Sequence, residues 1–266
     1  MTAPYLLQTR MVEKVWGVAA LPPPFADKST SKSDSKIGEI WFEPTADNSD
    51  LLVKYLFTSD KLSVQVHPSD AHAGEGESGK EECWYVLTAE PDAALGIGLT
   101  SECSKEELRA AALDGSIENL LDWRPVCAGD FFYLPAGTIH AIGPGLTLLE
   151  VQQNSETTYR LYDYGRPREL HLADGISVAN RGPYDAANTR KVPATGDVTL
   201  VDGPHFRMTR SVEQAPDDYR NGALVVPLDG LAQIGHLRVE AGQCGWAPDV
   251  TAIDLSSCPS AMIVAR

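Results

Sequence analysis

The chain has 266 residues, 43% of them hydrophobic, with 22 Lys plus Arg against 37 Asp plus Glu and a formal charge of −15. That hydrophobic fraction supports one large or two small domains with real cores and argues against wholesale disorder. The negative charge repels nucleic-acid phosphates and anionic membrane surfaces alike, and an anionic small molecule would need a local cluster of cations to bind at all.

Met1 to Gly17 carries Arg10, Glu13 and Lys14 and no continuous apolar core, and no later run approaches the ~20 apolar residues of a membrane span. The five cysteines, Cys83, Cys103, Cys127, Cys244 and Cys258, are odd in number and form no C-x-x-C pair. A reduced, cytoplasmic protein is the expectation. Residues 1–20 read as irregular or short strands around Trp16-Gly17. Residues 21–35, rich in Pro and Ser, read as a mobile surface loop. Strands are predicted over 39–42 and 51–56.

The next stretch is Leu62-Ser63-Val64-Gln65-Val66-His67, closed by Pro68. Leu62, Val64 and Val66 alternate with Ser63, Gln65 and His67, the pattern of a strand with one apolar and one polar face. A hydroxyl, an amide and an imidazole in a row suit an inward-facing site better than a solvated surface. Residues 68–79, rich in Gly, Ser and acids, form a loop suited to the rim of a site. In the strand over 79–87, Glu82, Trp84 and Val86 share one face, and Cys83 falls on the other as a buried thiol.

A further strand is predicted over 92–99. Ser104-Lys105-Glu106-Glu107 is a capping box opening a short helix through Leu113, stopped at Asp114-Gly115, with a second helical piece over 117–123. Residues 129–141 read as a strand, a Pro/Gly turn and a new strand opening on His140. Strands continue through Leu161. Residues 182–196 resemble a linker in composition. Strands over 198–212, 223–228, 231–239 and 261–264 make a second β-unit, in which His205 and His236 read as isolated polar residues. Gln65, His67, Glu82 and His140 together offer one amide oxygen, two imidazoles and one carboxylate. That donor set suits zinc or another first-row divalent ion with a coordination position left open.

Gln65-Val66-His67-Pro68, Gly79-Lys80-Glu81-Glu82-Cys83-Trp84-Tyr85, Pro135-Ala136-Gly137-Thr138-Ile139-His140-Ala141 and the run from Glu150 to Asp163 resemble, in order, the motifs of the type I phosphomannose isomerases. These are zinc enzymes of the cupin (β-jelly-roll) superfamily. The resemblance covers 16–172, with Ile37-Gly38-Glu39-Ile40-Trp41 as a weaker match, and does not extend past about Asn180.

It implies a mainly β fold: a catalytic cupin barrel over 1–182 with a short helical insertion, and a smaller cupin-like β-domain over 183–266. It implies one zinc per chain, other divalent metals being possible, on Gln65, His67, Glu82 and His140. It also implies reversible interconversion of mannose 6-phosphate and fructose 6-phosphate, with a small-molecule sugar phosphate as the partner and neither nucleic acid nor membrane. Thr158, Arg160 and Tyr162 share a strand face, which places Arg160 at the reacting end, where a guanidinium stabilises a developing oxyanion. Lys80 shares the face of Glu82 and has a catalytic or phosphate-binding role. Ser63 and Arg166 are the other expected phosphate ligands. Glu150, a carboxylate among apolar residues, either serves acid/base chemistry or orients a ligand imidazole. Two alternatives stand beside this: a non-catalytic sugar-phosphate-binding cupin, and a cupin enzyme of other chemistry such as an iron oxygenase. The latter's closer His-x-His spacing is not that of Gln65-Val66-His67.

Overall fold

Alternating apolar and polar side chains make antiparallel strand the dominant regular structure of this chain, in a computed structural model that describes residues 3–28, 35–219 and 221–266. Among the described residues the strands form three sheets. The first runs, in spatial order, Thr189–Lys191, Asp130–Leu134, Glu82–Ala89, Leu146–Gln153, Leu51–Thr58, Ile37–Phe42 and Thr9–Val18. The second runs Tyr159–Tyr162, Val64–Val66, His140–Ile142, Ala94–Leu99 and Leu121–Pro125. Trp84, Val86 and Leu148 of the first share a buried cluster with Leu95, Ile97 and Ile142 of the second. The two sheets thus close face to face as the cupin barrel.

Period-2 alternation then sorts every side chain. On Leu51–Thr58, Lys54 and Leu56 point into the barrel. Val53, Tyr55 and Phe57 point out and share a core with Met208, Leu224, Met262 and Val264 of the third sheet. That sheet, the C-terminal β-unit, orders Tyr5–Leu6, Gly245–Ala247, Ala223–Ile234, Ile253–Ala265, Arg207–Ser211 and Val198–Asp202, with Leu237–Glu240 also on Ala223–Ile234. Register slips between Pro227 and Gln233 bend the long central pair. The bend brings Ala232, Ile234 and Leu255 over Ala223, Val225 and Ile263 in a core of their own.

The second barrel sheet is covered on its outer face by helices. Lys105–Asp114 starts on the expected capping box, with Glu107 N–H donating to Ser104 Oγ at 3.1 Å and Ser104 N–H to Glu107 Oε2 at 2.7 Å. It ends on Gly115, whose φ of 86° is left-handed. Leu108, Ala111 and Ala112 pack on Val64, Val66 and Leu161. A helix that the sequence reading missed, Leu172–Val178, completes the cover. It docks closely because Gly175 has no side chain: a Cβ there would lie 2.7 Å from Leu161 Cδ2. Among the described residues no helix is long and apolar enough to cross a membrane.

Several expectations need correction. Residues 29–34 of the proposed surface loop lie outside the described residues, but Leu21 and Phe25 are buried at 5% and 1% exposure. The Phe25 ring meets Tyr55 edge-on at 4.8 Å between centroids, so this segment is a plug between barrel and C-terminal sheet. The helix Ile117–Leu120 is only four residues long and gives way at once to the strand Leu121–Pro125. The stretch read as a linker contains buried Tyr184, whose hydroxyl donates to Tyr133 O at 2.7 Å, and the strand Thr189–Lys191 on the edge of the first sheet. At the other end, Tyr5–Leu6 pairs with Gly245–Ala247 of the C-terminal sheet. Strands of two or three residues are too short to show alternation. Leu62 also departs from its expected face: it precedes the regular strand Val64–Val66 and packs inside the barrel.

Candidate active site

Strand register assembles the site. In the second sheet Gln65 lies opposite both His140 and Arg160, so these three side chains project side by side on the concave face. In the first sheet Glu82 lies opposite Gln152. Pro68 follows directly on His67, and the Gly137 N–H donates to His67 O at 2.8 Å, holding the strand end against the turn that leads to His140.

His67, Glu82 and His140 converge, buried to 2%, 2% and 1% exposure, with their donor atoms all within 4.8 Å of one another. His67 Nε2 is 3.4 Å from Glu82 Oε2 and His140 Nε2 is 3.3 Å from Glu82 Oε1. Bonds of about 2.1 Å to a tetrahedral ion put adjacent donors about 3.4 Å apart, so these spacings suit a shared cation. The opposite ring nitrogens are engaged: His67 Nδ1 is 3.0 Å from Thr157 O and His140 Nδ1 is 2.9 Å from Thr138 O. A carbonyl can only accept, so each Nδ1 carries the proton and each Nε2 presents a lone pair to the common point. Neither Nε2 nor Glu82 Oε1 has a hydrogen-bond partner among the described residues. Burial holds His67 well below the usual histidine range and His140 at about 3, so both rings are neutral, the ligating form. Burial, then Glu150, pushes the Glu82 carboxyl up; a bound cation would reverse that. Three orphaned donors of ligand type around one point fit a divalent metal. Cys83 faces away, buried, with its Sγ 3.7 Å from Met208 Sδ.

Beside this point opens a cavity of about 440 Å³. Among the described residues its wall carries six cations, Arg10, Lys14, Lys54, Lys80, Arg160 and Arg168, against two carboxylates, Glu39 and Glu156. A chain of charge −15 has therefore set six of its 22 Lys and Arg side chains around one hollow. Of the residues singled out from sequence, Ser63, Gln65, Lys80 and Arg160 line it. Lys80 is buried at 7% exposure, with Nζ 4.0 Å from Glu82 Oε2. Burial, then the like charge of Lys54, lowers its pKa below the usual lysine range. Arg160 Nη1 donates to Glu169 O at 2.8 Å, while its Nε is buried with no partner among the described residues.

Glu150 and Arg166 are placed elsewhere. Glu150 lies beneath the cavity wall: Oε1 pairs with Lys54 Nζ at 2.7 Å and Oε2 accepts from Trp84 Nε1 at 3.0 Å. Neither expected role is met by that geometry: Glu150 holds Lys54 and Trp84, while the ligand imidazoles are oriented by Thr157 O and Thr138 O. Arg166 is turned away from the cavity. Its guanidinium is occupied by Asp60 at 2.7 Å, Asp163 at 3.2 Å and Lys61 O at 2.9 Å. The arginine presented to the cavity is Arg168, held by both oxygens of buried Asp163 at 2.5 and 2.8 Å. Arg168 was missed because it lies two residues beyond Arg166 in a loop that has no period. Lys54 left a readable signal, a lone cation in the run Leu51-Leu52-Val53-Lys54-Tyr55-Leu56-Phe57.

No family model matches the chain. Over 246 residues it is 37% identical to the mannose-6-phosphate isomerase of Streptococcus mutans serotype c, a match spanning 77% of this chain and 78% of that protein. It is 49% identical over 137 residues to a mannose-6-phosphate isomerase of Bacillus subtilis, 48% of this chain and 43% of the other. A crystal structure of a mannose 6-phosphate isomerase from Bacillus subtilis matches it over 100% of both chains, with a TM-score of 0.81 and 27% sequence identity. With the barrel, its convergent ligands and this similarity along most of its length, the chain belongs to the mannose-6-phosphate isomerase family.

Proposed function

We propose that this protein interconverts mannose 6-phosphate and fructose 6-phosphate, as a metal-dependent aldose–ketose isomerase of the reduced cytoplasm with one zinc per chain. Residues 1–182 would form the catalytic unit and 183–266 a supporting β-domain. The observation that carries the reading is the cation-lined cavity opening beside three orphaned metal-type donors. His67, Glu82 and His140, with Gln65 beside them, would hold the ion. When bound there, zinc supplies a Lewis acid for the sugar's C1 and C2 oxygens.

Isomerisation moves a proton between C1 and C2 through an enediol. It needs a base to carry the proton and fixed positive charge for the oxyanion. Lys80 has the position and the lowered proton affinity to take the proton as an amine and return it as an ammonium. The unpartnered Nε edge of Arg160 is the donor for the developing oxyanion. Glu150 keeps Lys54 charged and in place: burial opposes that ammonium, but Glu150 and then Glu39 hold its pKa above the usual lysine range. Ser63, Lys54 and Arg168 would receive the phosphate, and Arg166 would act through Asp163, fixing the carboxylate that aims Arg168.

The test is turnover of a panel of hexose 6-phosphates by metal-replete protein, with Arg160→Ala as the diagnostic variant. A donor that works only in the transition state should cost about 10²–10³ in kcat with little change in KM. A wild type that binds the sugar phosphate but neither yields ketose nor exchanges the C2 proton with solvent would be a binding protein, and the isomerase reading would be wrong.

A further inference from the structure

The carboxamide of Gln152 is satisfied on one side and not on the other. Its Nε2 donates to Gln153 O at 2.9 Å and to Ser155 O at 3.1 Å. A primary amide has two N–H bonds, so both are used and the orientation of the group is fixed. Oε1 is thereby turned to the opposite side. It is buried, in a residue only 1% exposed that lines the cavity, and it meets no donor among the described residues. Gln152 is the Cα partner of Glu82 on the neighbouring strand, so this acceptor stands one strand from the metal-type donors.

An acceptor without a donor is disfavoured in a buried wall unless a bound water or a ligand brings the donor, and a ligand entering the cavity can take the water's place. It cannot serve the phosphate, because its lone pairs repel phosphate oxygens. Among the groups of a sugar phosphate only a hydroxyl can donate to it. We propose that Gln152 is a specificity-determining residue whose Oε1 accepts a hydrogen bond from a sugar hydroxyl beyond the reacting pair, at C3 or C4. This rests on the proposed sugar-phosphate reading and adds a division of the cavity: cations for the phosphate, one fixed neutral acceptor for the chain of hydroxyls. A site built around one such hydroxyl discriminates strongly against an analogue that lacks it.

The experiment is a ligand-variant cycle read by calorimetry on metal-replete protein. The probes are mannitol 6-phosphate and its 3-deoxy and 4-deoxy analogues, against wild type and Gln152→Met, which keeps the volume and removes the acceptor. Wild type should bind one of the two deoxy analogues about 10- to 100-fold more weakly than the parent. Gln152→Met should lose a similar factor on the parent and no longer distinguish it from that analogue. Equal weakening of all three ligands would mean that only the Nε2 bonds matter and would overturn the proposal. So would unchanged affinity for the parent, or a wild type that binds none of the three. Mannose 6-phosphate turnover, run alongside, separates the two readings. An intact cycle without turnover removes the isomerase and keeps Gln152; normal turnover with a flat cycle removes Gln152 alone.

Discussion

Replacing Lys54 by Met tests whether the charged layer beneath the cavity holds the barrel together. Lys54 Nζ and Glu150 Oε1 are 2.7 Å apart with side chains 8% and 4% exposed, so neither charge has water to fall back on. Lys54→Met leaves the Glu150 carboxylate with Trp84 Nε1 as its one close donor among the described residues. Breaking one side of a buried pair costs about 3–5 kcal/mol. For 266 residues the unfolding entropy is roughly 0.6 kcal/mol/K, so the melting temperature should fall by about 5–8 °C. Adding Glu150→Gln removes the stranded charge and keeps an acceptor for Trp84. The double variant should therefore recover at least half of the loss, although both are catalytically poor because Lys54 lines the cavity. Differential scanning calorimetry of metal-replete protein reads this directly. A single variant within 1 °C of wild type, or a double variant that melts below the single, would refute the reasoning.

Two further outcomes follow from the metal-type donors. His67→Ala should purify without bound metal, since it removes one of three convergent donors; elemental analysis at full occupancy would contradict the assignment. In metal-free protein, burial holds His140 at about 3 against the usual 6.5, so as pH falls through that window the unfolded chain gains a proton that the folded one refuses. Stability is lost across it at about 1.4 kcal/mol per pH unit; replacing His140 by Leu should flatten the pH dependence of denaturant unfolding by that one proton, and identical slopes would show that His140 is not excluded from protonation.

The residues legible in the sequence are those that a period of two can place. Ser63, Gln65 and His67 alternate with Val64 and Val66, and the register puts Gln65 between His140 and Arg160 as the inward face required. Glu82 and Cys83 part company for the same reason, one toward His67 and His140 and the other against Met208. The capping box at Ser104 was legible because it is a contact between residues three apart. Where the controlling contact is distant, local pattern misled. Phe25 lies in a segment that reads as solvent loop, and it is the rings of Tyr55 and Phe57, on the outer face of another strand, that make it core. The twelve-residue strand Ala223–Ile234 read as two because its register slips interrupt the alternation.

The two arginines after the strand Tyr159–Tyr162 show where the limit falls. Arg166 and Arg168 have the same chemistry, and nothing local ranks one above the other as an anion ligand. The difference is made by Asp163, buried at 2% exposure with both oxygens spoken for. Arg168 meets that carboxylate in the bidentate fork geometry that fixes a guanidinium plane. Arg166 reaches it with one nitrogen and is drawn off by Asp60 and the Lys61 carbonyl. One buried acid therefore does two jobs: it neutralises a cation that serves the loop, and it orients a cation that serves the cavity. Six cations around one hollow in a chain of charge −15 would repel one another if left to themselves. Asp163 under Arg168 and Glu150 under Lys54 stand on the side away from solvent, so that positive charge is held in place from behind and remains available in front. An anion entering the cavity meets side chains that have already lost their freedom, which is the condition for binding it against the repulsion of the rest of the surface.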